Sequence, residues 1–136
     1  MVGVIRATRR GRGERGSALA EAALSILLLI VIVFGIIDFG RAMYAYHAVS
    51  NGAELGTRYA LVRGYDSGIS VAAAAVDSYV KSGIVLDPSQ VTVTTTWQDN
   101  QKAGTWVRVQ VDYNFQFLLP VSTITLSSHS QMVIAR

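Results

Sequence analysis

The chain has 136 residues, 51% hydrophobic and only 15% charged, with no cysteine and a formal net charge of +3. That length suits one small domain, and the lack of thiols excludes disulfides, thiolate metal sites and a cysteine nucleophile. The basic excess is local: residues 1–16 carry five arginines against one glutamate, whereas residues 17–136 carry seven basic and eight acidic groups. The body therefore lacks the clustered cations that phosphate contacts need, which argues against nucleic acid as its partner.

The first element follows this basic stretch. Residues 22–37, AALSILLLIVIVFGII, contain no charge, and the segment from Ser17 through Glu21 extends the helical reading to 21 residues. Such a helix is ~31 Å long, close to one bilayer core. Isoleucine, leucine and valine surround it without a polar stripe, which suits lipid better than a globular surface. Arginines precede the run and Asp38 and Arg41 follow it, so the positive-inside rule places the N-terminus in the cytoplasm. A cleaved secretory signal does not fit, because the apolar run is long and no small-x-small site follows it. The span is expected over residues 17–38, after a cytoplasmic leader of residues 1–16 and before an extracytoplasmic domain of residues 39–136.

The helix is expected to continue to about Val62. Phe39, Met43, Tyr46, Val49 and Ala53 recur at spacings of three and four, an amphipathic pattern. Gly40, Gly52 and Gly56 weaken it and also allow close helix contact. Residues 63–68, RGYDSG, read as a loop. A short helix is expected over residues 70–82, with Ser70 as N-cap and Gly83 as its stop. Period-two alternation then predicts strands near 91–97, 105–117 and 123–134. Val107, Val109, Val111, Tyr113, Phe115 and Phe117 share one face of the second, while Ile124, Leu126, Met132 and Ile134 share one face of the third. The fold class expected is α+β: a long N-terminal helix, transmembrane then amphipathic, a short second helix, and a three-stranded antiparallel sheet packed on the helical part.

Catalytic patterns are missing. His47 and His129 stand outside any metal-ligand spacing, and no nucleophile elbow, zinc-binding helix or phosphate loop is present. The chain is thus expected to be no enzyme and to use no cofactor, metal or small-molecule substrate. Thr92, Thr94 and Thr96 form an exposed ridge that ordinary strand propensity explains. Glu21 is the one residue that calls for a role, since a carboxylate inside lipid costs about 2.5–3.5 kcal/mol on insertion scales.

The stretch GSALAEAAL resembles the processing motif of type IV prepilins and pseudopilins: a basic leader ending in glycine, then a mature chain whose fifth residue is glutamate. The glycine here is Gly16, the new N-terminus would be Ser17, and the glutamate is Glu21. The resemblance implies cleavage after Gly16 by a membrane prepilin peptidase. Glu21 of one subunit would then neutralise the exposed α-amine of its neighbour, where an unpaired charge is costly. Those families usually place an aromatic residue after the glutamate, and Ala22 stands there. Residues 34–64 are similar to the core of the TadE-like family, through Asp38-Phe39-Gly40-Arg41 and through Ala53-Glu54-Leu55-Gly56-Thr57-Arg58-Tyr59-Ala60.

That resemblance implies a minor pseudopilin of the bacterial tight-adherence (Flp) pilus, anchored by a single pass in the inner membrane and acting by assembly. Its implied partners are the prepilin peptidase, other pilin or pseudopilin subunits, the inner-membrane assembly platform and the lipid bilayer. Asp38, Arg41, Gly56, Arg58 and Tyr59 are the family-motif residues. Helix packing in such a bundle is expected at Gly35, Gly40, Ala42, Ala45 and Ala48, since small residues let helices approach in lipid. The alternative is an uncleaved, anchored extracytoplasmic module that binds cell-wall polysaccharide, with the threonine ridge as its surface.

Overall fold

The computed structural model describes residues 12–66, 71–98, 104–118 and 122–134, with side chains in the first stretch described over residues 16–63. In chain order it contains helix α1 (Arg12–Asp66), helix α2 (Ala73–Gly83), a 3-10 turn (Pro88–Gln90), and strands β1 (Val91–Trp97), β2 (Trp106–Gln116) and β3 (Thr123–Val133). The chain divides into two units, Met1–Ile37 and Asp38–Arg136, and α1 contributes to both. The expected α+β class, with its two helices and three antiparallel strands, is borne out.

In the first unit, every side chain from Gly16 to Ile37 is exposed. Leu24, Leu28 and Ile36 keep 63–69% of their surface, an apolar exposure that water disfavours and lipid does not. Within α1 the segment Gly16–Arg63 contains a stretch long and apolar enough to cross a membrane.

In the second unit, β1, β2 and β3 form one sheet in that order, antiparallel throughout. The register pairs Val93 with Val111 and Trp97 with Val107 on one side, and Tyr113 with Leu126 and Phe115 with Ile124 on the other. Alternation then places Val107, Val109, Val111 and Phe115 on the buried face, as the period-two reading expects. Val76 and Val80 of α2, four residues apart, join them with Val49, Ala53 and Ala60 of α1 in one core. The opposite face is polar and internally bonded. Arg108 donates twice to Gln131, at 3.1 and 2.7 Å, while Asp112 accepts from Gln110 and Ser127. Gly104 precedes β2 with φ +86°, a conformation only glycine adopts freely, and its N–H reaches the Ile134 carbonyl at 2.9 Å.

Three local expectations are corrected. First, α1 does not stop at Val62: residues 63–66 of the expected loop are helical. The Arg63 guanidinium lies 5.6 Å from the Tyr59 ring one turn back, and a cation in the last turn suits the helix dipole. Second, Ala72 occupies the N-cap of α2 without a side-chain cap bond, and the helix starts at Ala73. The expected cap, Ser70, lies outside the described residues.

The third correction concerns which residues of α1 face the core. Phe39, Met43 and Tyr46 are exposed by 70%, 42% and 45%. Val49 and Ala53 of the expected set are buried, and the stripe they belong to runs through Asp38, Ala45, Val49, Gly52, Ala53, Gly56, Thr57 and Ala60. The reason is the thickness of what lies opposite. Valines from α2 and β2 already fill the space, so α1 must present small side chains to approach them. A Cβ on Gly56 would stand 2.7 Å from Val80 Cγ2 and 3.0 Å from Val109 Cγ1, closer than such atoms pack. Buried Thr57 meets the polar requirement of the same stripe, its hydroxyl lying 2.8 Å from the Ala53 carbonyl and 3.2 Å from that of Ser130.

Candidate functional site

The charged and motif residues fall in three places along α1. Gly16, Ser17 and Glu21 lie in the first unit, all exposed, and a Cβ on Gly16 would meet nothing within 4 Å. Gly35 is equally open.

The second place follows directly on the apolar run. Asp38 is 5% exposed, and burying a bare carboxylate is costly unless it is paired and hydrogen-bonded. Both its oxygens accept the Leu118 backbone N–H, at 3.1 and 3.0 Å, and Oδ1 also accepts from Arg41 Nη1 at 2.7 Å. The Arg41 guanidinium lies 5.2 Å from the Phe115 ring centre, and Phe115 meets Phe117 edge to face. The arrangement links the residue after the apolar run to the end of β2. Sequence reasoning named Asp38 and Arg41 as the charges after the apolar run and as family-motif residues, and missed Leu118. The available signal was energetic: an acid abutting an apolar run needs donors, and Arg41 supplies one at i+3.

The third place is the Ala53–Ala60 segment. Gly56 makes the close approach already described. Arg58 pairs with Glu54 one turn away on an exposed surface, a contact of small energetic weight. Tyr59 stacks on Tyr79 of α2 with ring centres 4.2 Å apart and planes 14° from parallel, which fixes the rotation of α2 on α1. Of the residues expected at helix–helix contacts, Gly40 is open, Ala42 and Ala48 are half-buried, and Ala45 is buried inside its own unit.

An open groove of about 220 Å³ lies between α1 and α2, lined by Tyr44, His47, Gly52, Leu55 and Ile84 among others. His47 and His129 are both exposed, and no group of three His, Cys, Asp or Glu able to hold a metal occurs among the described residues. On the 3-10 turn, the Ser89 backbone N–H and then its hydroxyl bond Asp87, which holds that carboxyl below its ordinary range.

Comparison with curated proteins and with solved structures finds no match. A family model does match, over residues 16–58, and its description is TadE-like protein. The matched stretch begins at Gly16, takes in the whole apolar run and the Asp38–Arg41 pair, and ends two residues after Gly56. Over residues 16–58 the chain is therefore similar to the TadE-like family.

Proposed function

We propose that the protein is a minor pseudopilin of a tight-adherence pilus, made with a cytoplasmic leader of residues 1–16 that a prepilin peptidase removes after Gly16. The mature chain begins at Ser17, crosses the inner membrane once over residues 17–38, and presents residues 39–136 outside the cytoplasm. It acts by assembly with other pilin subunits and the inner-membrane platform, supporting adhesion, and has no active site of its own. The observation that carries this reading is the joint occurrence of a scissile-type glycine, a glutamate five residues on and an exposed apolar helix, inside a TadE-like match. Glu21 then serves a neighbour's new amine: both groups are expensive to desolvate alone and neutralise each other as a pair.

The test is the N-terminus of the protein purified from cells that contain the peptidase. Intact mass and Edman sequencing should give a chain starting at Ser17, and Gly16→Leu should leave the leader attached. Recovery of the full leader beside an active peptidase defeats the processing step and favours an uncleaved anchor. Glu21→Ala should still be cleaved but fail to enter pili, because the amine loses its partner.

A further inference from the structure

We infer that the end of the sheet beside Asp38, with Phe39, Leu118 and Ile124, lies in the interfacial layer of the bilayer and takes lipid as its partner. This rests on the reading that residues 17–38 span the membrane. The second unit then has two attachments to that surface, the covalent one through Ile37 and a non-covalent one through the end of the sheet.

Connectivity supplies the first reason. Asp38 follows the apolar run directly, and its carboxylate holds the Leu118 N–H within 3.1 Å. Leu118 is therefore bonded to the residue at which the chain leaves the hydrocarbon, whatever the orientation of the rest of the unit. Ile124 pairs with Phe115 across β2 and β3, and Phe115 lies under the Arg41 guanidinium, so it belongs to the same end.

Exposure supplies the second. Phe39, Leu118 and Ile124 keep 70%, 50% and 39% of their surface open. The sequence from Gln116 to Thr123 has no charged residue, whereas the stretch joining β1 to β2, at the other end of β2, contains Asp99 and Lys102. The β2–β3 connection is thus without charge, as contact with lipid favours.

Charge supplies the third. Asp38 and Arg41 neutralise each other at 2.7 Å, and the buried carboxylate also accepts from the Leu118 N–H. The pair therefore brings no bare charge of its own to the lipid surface. Tyr44 and Tyr46, 58% and 45% exposed, follow on α1 at ~9–12 Å from Asp38, where an aromatic belt would meet the headgroups.

The chain has no cysteine, so single ones can be introduced without background. The full-length protein is reconstituted in phosphatidylcholine vesicles with an environment-sensitive fluorophore on Leu118→Cys or Ile124→Cys. Leu29→Cys serves as the membrane control and Thr94→Cys, on the polar face of the sheet, as the water control. Leu118 acts on Asp38 through its backbone, so its replacement keeps the clamp, and Ile124→Cys gives an independent reading. The labels at 118 and 124 should be quenched by lipids bearing a shallow nitroxide and protected from aqueous iodide, with Thr94 showing the reverse. Iodide quenching at 118 and 124 equal to that at 94, beside a protected label at 29, overturns the interfacial contact and leaves the span standing. Protection from both quenchers means that another subunit covers the patch, which also overturns it. Iodide access at 29 removes the spanning reading itself, and this inference with it.

Discussion

Asp38 is the residue at which the character of the chain changes. Before it lie 16 uncharged positions, and after it α1 has a buried side. Its carboxylate accepts from two donors at once, the Leu118 N–H shared between both oxygens and Arg41 Nη1. Asp38→Ala would strand a backbone donor and loosen Arg41 from Phe115, and should destabilise the second unit by about 1–3 kcal/mol. Asp38→Asn keeps one acceptor oxygen and should cost less. Urea unfolding of the full-length protein in micelles, followed through Trp97 and Trp106, measures both. Asp87 makes the complementary case at an exposed site. Its bonds from Ser89 favour the ionised form, so its contribution is present above the unfolded carboxyl range and is lost as pH falls through the lowered folded value. A carboxyl-carbon NMR titration should show Asp87 titrating below ordinary aspartates, and Ser89→Ala should move it back up.

At the level of elements, helix α1 shows how far a hydrophobic pattern can mislead. Phe39, Met43 and Tyr46 follow helical spacing as faithfully as the buried stripe does, yet they face outward. Spacing identifies a face; it does not say which face meets the sheet. That choice is made by volume, because the valines of α2 and β2 leave room for alanine and glycine only. Gly56→Ala should therefore destabilise the unit by about 1–3 kcal/mol through overpacking. Gly40→Ala, at an open helix position, should be neutral or stabilising by up to ~1 kcal/mol. Gly52→Ala should fall between them, since its nearest neighbour is the movable end of Ile84 at 3.0 Å. Thermal melts of the three variants rank them directly. The strands behaved differently: alternation is tied to the pleat, so burial of Val107, Val109 and Val111 could be read from the sequence.

For the whole molecule, the proposed function has assembly act on the open surface of α1. Gly40 has nothing within 4 Å of a built Cβ, so Gly40→Leu should leave the folded subunit intact while obstructing close approach of a neighbouring helix. Reduced piliation with unchanged protein level is the expected outcome, and normal piliation would remove Gly40 from the packing surface. The TadE-like match ends at Arg58, so the sheet and α2 stand outside it; the strands are legible from period-two alternation and α2 from its stop signal at Gly83. The sequence by itself determined the apolar helix, the number and order of the strands and the inward face of β2, because each follows from the spacing of side chains along one element. Only the tertiary structure decided that a stripe of small residues, not the aromatic one, turns inward, and that Asp38 reaches Leu118 eighty residues away. Both depend on what another element brings opposite, a volume in one case and a hydrogen-bond donor in the other, and neither is written in the local pattern of α1.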